Sequence, residues 1–98
     1  MKTAYPAIFY KCDEGGYTVD VHDLLGCVTE GDTFEEAFSM GIDAASLWVL
    51  ANLELGRPVP SPSTMDALSP DDDDGFVVML PLDMEAHSEK HGSHLVSG

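Results

Sequence analysis

The chain has 98 residues, enough for one small domain but not for two independent hydrophobic cores. Hydrophobic residues make up 44% of it, which excludes a wholly disordered protein. Eighteen Asp and Glu residues oppose four Lys and Arg residues, for a formal net charge of −14. Because nucleic-acid binding relies on clustered basic residues, we expect no direct binding of DNA or RNA by this chain.

Two strands joined by a tight turn are predicted near the N-terminus. Residues 4–10 are rich in aromatic and β-branched types. Pro6 indicates that this strand lies at a sheet edge or turns its amide outward. A glycine pair supplies the turn, and the apolar odd-numbered positions of residues 17–22 are expected to face the core.

A short third strand is predicted over residues 27–30, followed by a long helix. Thr33 and Glu36 have the spacing of a capping box, in which the Thr33 hydroxyl accepts from the Glu36 amide and the Glu36 carboxylate accepts from the Thr33 amide. The helix is expected to run over residues 34–55 and to stop at Gly56.

The predicted helix carries more apolar surface than one sheet can cover. A stripe at helical spacing from Phe34 to Leu55 is expected to pack on the sheet. Because the core is small, the apolar residues off this stripe indicate a homodimer or a higher oligomer. These candidate interface residues are Ile42, Leu47, Val49, Leu50 and Leu53.

A connector rich in proline and serine occupies residues 57–75 and leads to a last strand. Residues 76–80 are almost continuously apolar, which predicts a buried central strand limited by Pro81. Residues 85–98 contain little that is apolar and are expected to form a flexible tail. The domain itself is therefore predicted to span residues 1–84.

Three clusters could carry chemistry, and each has a plainer explanation. His87, His91 and His94 could hold a transition metal on a helix, but a glycine and a serine interrupt that helix. The acidic run at 71–74 lacks the ligand spacing of a calcium loop. The carboxylate pairs near the first turns have no lysine or arginine beside them. We therefore expect no catalytic residue, no metal site, no cofactor and no enzymatic activity.

The cysteine spacing and the hydropathy indicate in which compartment of the cell the protein resides. Cys12 and Cys27 lack the spacing of a metal site, and no apolar run approaches the roughly 18 residues of a membrane span. We expect a cytoplasmic protein with reduced thiols and no membrane contact.

Several segments, in this order and spacing, form a recognisable pattern over about residues 4–84. They are Tyr5-Pro6-Ala7-Ile8, Gly15-Gly16-Tyr17-Thr18-Val19, Asp23-Leu24-Leu25-Gly26-Cys27-Val28-Thr29-Glu30-Gly31-Asp32-Thr33 and Gly56-Arg57-Pro58-Val59-Pro60. The pattern resembles the HicB family of antitoxins. His22 and Leu25 stand where that family usually has prolines.

The resemblance implies an α+β fold in two layers, with one long helix packed on a mainly antiparallel sheet in the order β-β-β-α-β. Such a fold is described as partially RNase H-like. Typical members continue into a small DNA-binding module, whereas this sequence stops at Gly98, so we expect either a piece of a longer chain or a member without that module.

The resemblance also implies a partner, HicA, which is a small basic mRNA interferase that such antitoxins neutralise by direct contact. The charge of −14 agrees with a basic partner. Two alternatives stay open: a stand-alone acidic domain with another partner, and a relic RNase H-like hydrolase with weak nuclease activity.

The expected docking surface combines the polar side of the second strand with the acidic residues that follow it. Its candidate toxin-binding residues are Asp20, His22, Asp23, Glu30, Asp32 and Glu35. For Asp23 the alternative is that its side chain caps its own turn. The acidic run at 71–74 is expected to steer the encounter rather than to dock.

Overall fold

The computed structural model describes residues 2–70 and 75–84. Within them, four strands form one antiparallel sheet in the order β3-β2-β1-β4, and one long helix packs on it. This two-layer arrangement confirms the expected α+β fold. The elements are β1 (Lys2–Lys11), β2 (Tyr17–Asp20), β3 (Val28–Gly31), α1 (Phe34–Glu54), a short 3₁₀ turn (Met65–Ala67) and β4 (Gly75–Asp83).

Two of the predicted features lie outside the described residues. These are the acidic run at 71–74 and the tail of residues 85–98, which includes the three clustered histidines. No helix in the part of the chain that the structure describes is long and apolar enough to cross a membrane.

The register of the strands assigns each side chain to one side of the sheet. Phe9, Val19 and Leu80 are completely buried in the core beneath α1. Because successive residues of a strand point to opposite sides, the residues between them lie on the side turned away from α1. We call this side the outer face, and it carries Ile8, Tyr10, Asp20, Val28, Glu30, Val77 and Met79.

The helix begins at the predicted residue, Phe34, and ends at Glu54, one residue before the predicted end. The Thr33 hydroxyl accepts a hydrogen bond from the Glu36 amide at 3.1 Å. The Glu36 carboxylate accepts from the Asp32 amide at 3.0 Å, one residue earlier than expected. At the other end, Gly56 has a φ of +68°, the left-handed conformation that ends many helices.

The side of α1 that packs on the sheet differs from the predicted stripe. It buries Ala37, Gly41 and Ala45, and it also buries Val49 completely. A residue that is 0% exposed within one copy cannot contact a second copy, so the expected role of Val49 in oligomerisation is wrong. Leu55, at the end of the predicted stripe, follows the last helical turn and is 63% exposed.

The other four candidate interface residues fall into two groups. Ile42 and Leu50 are half-buried and pack against the core of their own chain. Leu47 and Leu53 are exposed on the helix surface. A helix-mediated contact between copies therefore stays a prediction that rests mainly on these two leucines.

The two prolines of the sheet show that β1 and β4 lie elsewhere in the sheet than an edge strand and a central strand, respectively. β4 is an edge strand and not a central one, Pro81 lies inside it, and Pro6 lies in a central strand. Pro6 pairs with Met79 and Pro81 pairs with Ala4, so both belong to the same alternating class of pairs. Since proline has no N–H, the ladder keeps all its bonds when these are the non-hydrogen-bonded pairs.

This arrangement explains why both prolines are tolerated. β2 pairs only with the Ile8–Lys11 part of β1, so no strand among residues 2–70 and 75–84 lies on the β2 side of Pro6. The nitrogen of Pro6 then faces a side without a strand, and that of Pro81 faces the free edge of the sheet.

Candidate partner-binding face

A groove of about 260 Å³ lies on the outer face, where the connector lies against the sheet. Its apolar part comes from Ile8 of β1 and from Ala67 and Leu68 of the connector. Its polar part comes from Tyr10, Asp20, His22 and Ser69. The groove thus brings together two of the predicted toxin-binding residues, Asp20 and His22.

Negative charge dominates the groove. Asp20 is half-buried at the end of β2, and no lysine or arginine is among the described residues that line the groove. Burial and, to a lesser degree, the nearby Asp20 charge raise the pKa of the Cys27 thiol. A carboxylate beside apolar walls suits a lysine or arginine side chain, whose methylene groups and charged end need both surfaces.

Asp23 is engaged inside the chain. One oxygen of its carboxylate accepts from the Ser63 amide and the other accepts from the Ser63 hydroxyl, both at 2.7 Å. It therefore caps a segment 40 residues further along the chain and not its own turn. The Tyr5 hydroxyl, which donates to the Pro60 carbonyl at 2.6 Å, holds the same segment. Together these bonds fix the connector beside the sheet.

The remaining predicted acids lie at increasing distance from the groove. Glu30 is exposed on the outer face, opposite Thr18 of β2. Asp32 and Glu35 are exposed beyond the other end of β3, which is roughly 10 Å long. The structure thus places Asp20, His22 and Glu30 on one face, with Asp32 and Glu35 at its border.

The sequence analysis missed two exposed apolar residues, one in the turn between β2 and β3 and one at the start of β3. Leu25 is 90% exposed in the turn between β2 and β3, and Val28 is 58% exposed and pairs with Asp20. The Trp48 indole donates to the Leu25 carbonyl at 3.0 Å, so the turn is tied to α1 while the leucine side chain faces solvent. One sign in the sequence indicated that Leu25 is exposed, because it occupies a turn position where the resembled family usually has proline.

The family is established by comparison with known proteins. The model of the HicB_like antitoxin of bacterial toxin-antitoxin systems matches residues 5–96. The chain belongs to this family. The resemblance seen in its motifs is thereby confirmed.

Individual proteins are similar to parts of this HicB-like chain. A UPF0150 protein of Synechocystis sp. is 32% identical over 57 residues, which cover 58% of this chain and 78% of that protein. Antitoxin HicB 1 of Photorhabdus laumondii is 45% identical over 40 residues, which cover 41% of this chain and 26% of that antitoxin. The match therefore spans about a quarter of the Photorhabdus protein.

Solved structures establish the same fold. A toxin-antitoxin complex from Streptococcus pneumoniae contains a chain with a TM-score of 0.77 and 22% identity, covering 99% of this chain and 93% of that one. A HicA3 and HicB3 toxin-antitoxin complex contains one with a TM-score of 0.68 and 24% identity, covering 83% of this chain and 99% of that one. At these identities the similarity shows the architecture of the HicB-like domain.

Proposed function

We propose that this chain is an antitoxin that neutralises a small basic HicA-type toxin by direct contact through its outer face. Membership of the HicB-like antitoxin family carries the proposal. The chain would act in the cytoplasm, where an mRNA-cleaving toxin meets its substrate. It would do so without catalytic activity and without binding nucleic acid itself.

The charge and the groove support a basic partner. A net charge of −14 accelerates the approach of a positively charged protein, and Asp20 offers that protein a partly buried carboxylate. In the proposed complex, one lysine or arginine of the toxin occupies the groove, with its stem along Ile8 and Leu68. A surface that normally contacts RNA phosphates would thereby be covered.

The two apolar residues would complete the contact. Interfaces draw most of their binding energy from a few apolar and charged residues near their centre. Val28 is exposed and pairs with Asp20, and Leu25 is exposed in the turn between β2 and β3. Asp23 contributes indirectly, because it fixes the connector that forms one wall of the groove.

The test is a binding experiment between this chain and a purified HicA-type toxin. Wild-type chain should bind the purified toxin and stop its cleavage of RNA. Asp20→Lys should accelerate dissociation about tenfold or more, because it places like charges in the groove. Glu54→Lys changes the net charge equally at the exposed C-terminal end of α1 and should leave the dissociation rate unchanged.

Two results would contradict the proposal. If Asp20→Lys and Glu54→Lys dissociated at the same rate as wild type, the groove would not be the docking site. If the wild-type chain neither bound the toxin nor protected RNA, direct neutralisation would be wrong. Magnesium-dependent RNA cleavage by the chain alone, lost in Asp20→Asn, would instead support a relic hydrolase.

A further inference from the structure

The connector wall of the groove is held at both of its ends. We call residues 63–70 the strap, because they lie against the outer face and supply Ala67, Leu68 and Ser69 to the groove. At one end of the strap, Ser63 donates to both oxygens of the Asp23 carboxylate. In its middle, Leu68 is buried, with only 8% of its surface exposed. A wall held in this way gives the groove its shape before a partner arrives.

The other end of the strap depends on the absence of a side chain at Gly75. A Cβ atom at this position would lie 2.6 Å from the Cβ of Pro70 and 2.9 Å from Cε1 of Tyr10. Because carbon atoms that are not bonded do not approach so closely, only glycine lets Pro70 and the Tyr10 ring lie this near to β4. The Tyr10 ring, which lines the groove, is thereby packed in place.

The groove contains a carboxylate that has no partner within the chain. Within residues 2–70 and 75–84, no hydrogen bond or ion pair reaches the carboxylate of the half-buried Asp20. The residues opposite Asp20 on the two adjoining strands are Ile8 and Val28, whose side chains are apolar. A partly buried carboxylate in such surroundings binds most favourably to a cation that also donates hydrogen bonds.

We propose that the groove takes an arginine side chain of the partner in preference to a lysine side chain. The proposal rests on the proposed function, because it names the kind of residue through which a basic partner enters the groove. At about 260 Å³ the groove is smaller than the sites of about 300–1,000 Å³ that hold drug-sized ligands, so a single side chain suits it.

The preference follows from the chemistry of the two cations. A guanidinium group is planar and donates two parallel hydrogen bonds to one carboxylate, here that of Asp20, with further N–H groups available to the Ser69 hydroxyl. It is also more weakly hydrated than an ammonium group and stacks on aromatic rings such as that of Tyr10. An ammonium group gives up more hydration on entering the groove and forms neither the paired hydrogen bonds nor the stack.

Two small probes, titrated into the chain alone, test the proposal. They are N-acetyl-arginine amide and N-acetyl-lysine amide, which carry the same charge and differ in the cationic group of the side chain. Chemical shifts of backbone amides, measured by nuclear magnetic resonance, report where each probe binds. The arginine probe should shift the amides of Asp20 and Leu68 and should bind about fivefold or more tightly than the lysine probe.

Variants distinguish the groove from the general negative charge. Asp20→Asn should weaken binding of the arginine probe about tenfold or more. Glu54→Gln removes the same charge from the exposed end of α1 and should leave that affinity unchanged. Gly75→Ala displaces one end of the strap without changing any charge, so it should reduce the preference for arginine. If the circular dichroism spectrum of Gly75→Ala differs from that of wild type, Ser63→Ala, which loosens the other end, should have the same effect on the preference.

The outcomes separate this proposal from the proposed function. Equal affinities of the two probes would overturn the preference for arginine, as would binding of the arginine probe that Asp20→Asn leaves unchanged. A toxin that dissociates faster from Asp20→Lys, combined with equal affinities of the probes, would support the proposed function and contradict the present proposal. Asp20-dependent binding of the arginine probe by a chain that does not bind the toxin would do the reverse.

Discussion

At the scale of single residues, the carboxylate of Asp23 links two distant parts of the chain. Both of its oxygens accept from Ser63, at 2.7 Å each. Charge-assisted hydrogen bonds in a partly buried site stabilise a fold more than neutral ones do. We therefore expect Asp23→Asn to lower the free energy of unfolding by about 1–2 kcal/mol, measured by urea denaturation.

Two further variants separate the bonds from the charge. Ser63→Ala removes only the hydroxyl donor and should cost less, about 0.5–1 kcal/mol. Asp20→Asn makes the same carboxylate-to-amide change at the end of β2 and should shift stability by about 0.5 kcal/mol at most. Equal stability of Asp23→Asn and wild type would show that these bonds contribute nothing to the fold.

The residue scale also shows which parts of the site were predictable. The alternation of β2 is local, so the sequence predicts that Asp20 projects away from the core. The partner of Asp23 lies 40 residues away, and nothing local indicates which segment returns to it. The exposure of Leu25 depends on Trp48, which lies 23 residues away and binds the Leu25 carbonyl. The local sequence therefore did not indicate this exposure either.

At the scale of elements, the connector depends on one protonated tyrosine. Burial first, and the charge of Asp23 second, raise the pKa of Tyr5 above its ordinary value of 10.0. The folded chain thus binds this proton more tightly than the unfolded chain does. The stability it contributes is complete below about pH 10 and is lost as the pH rises through the raised pKa of Tyr5.

Tyr5→Phe tests this dependence. At about pH 8 the variant should be less stable than wild type by about 0.5–1.5 kcal/mol, because it lacks the bond to the Pro60 carbonyl. Between about pH 8 and about pH 11 its unfolding free energy should fall less than that of wild type, because no phenol titrates at this position. An identical fall in both proteins would mean that Tyr5 does not couple to folding.

The limits of a helix or strand could be predicted where the residues that set them lie next to it in the sequence. The capping box and Gly56 lie next to the helix they bound, so the limits of α1 follow from the sequence. Strand order depends on pairing between distant segments, and an apolar run such as β4 looks the same at a centre or at an edge. For the same reason the sequence left two alternatives open for Pro6, an edge strand or an outward amide, and only the pairing of β2 decides for the second.

At the scale of the whole molecule, the net charge of −14 acts in opposite directions on the proposed contact with a basic toxin and on the predicted contact between two copies. Dissolved salt screens charges beyond a Debye length of about 10 Å at 0.1 M. Screening weakens the attraction between this chain and a basic toxin, and it equally weakens the repulsion between two copies. The predicted contact between copies rests on Leu47 and Leu53 of α1, which are uncharged, so screening has little effect on that apolar contact itself.

A higher salt concentration should therefore weaken the contact with the toxin and strengthen the contact between two copies. From about 50 mM to about 500 mM sodium chloride, the toxin should associate more slowly, whereas the dimer should dissociate less at a given concentration. Association rates with the toxin and sedimentation of the chain alone measure the two effects separately. Neutralising the acidic run at 71–74 with asparagines should reduce both salt dependences, because it removes four of the negative charges. A dimer that weakened as salt rose would show that ion pairs hold it together, and the apolar residues Leu47 and Leu53 would then not be the contact.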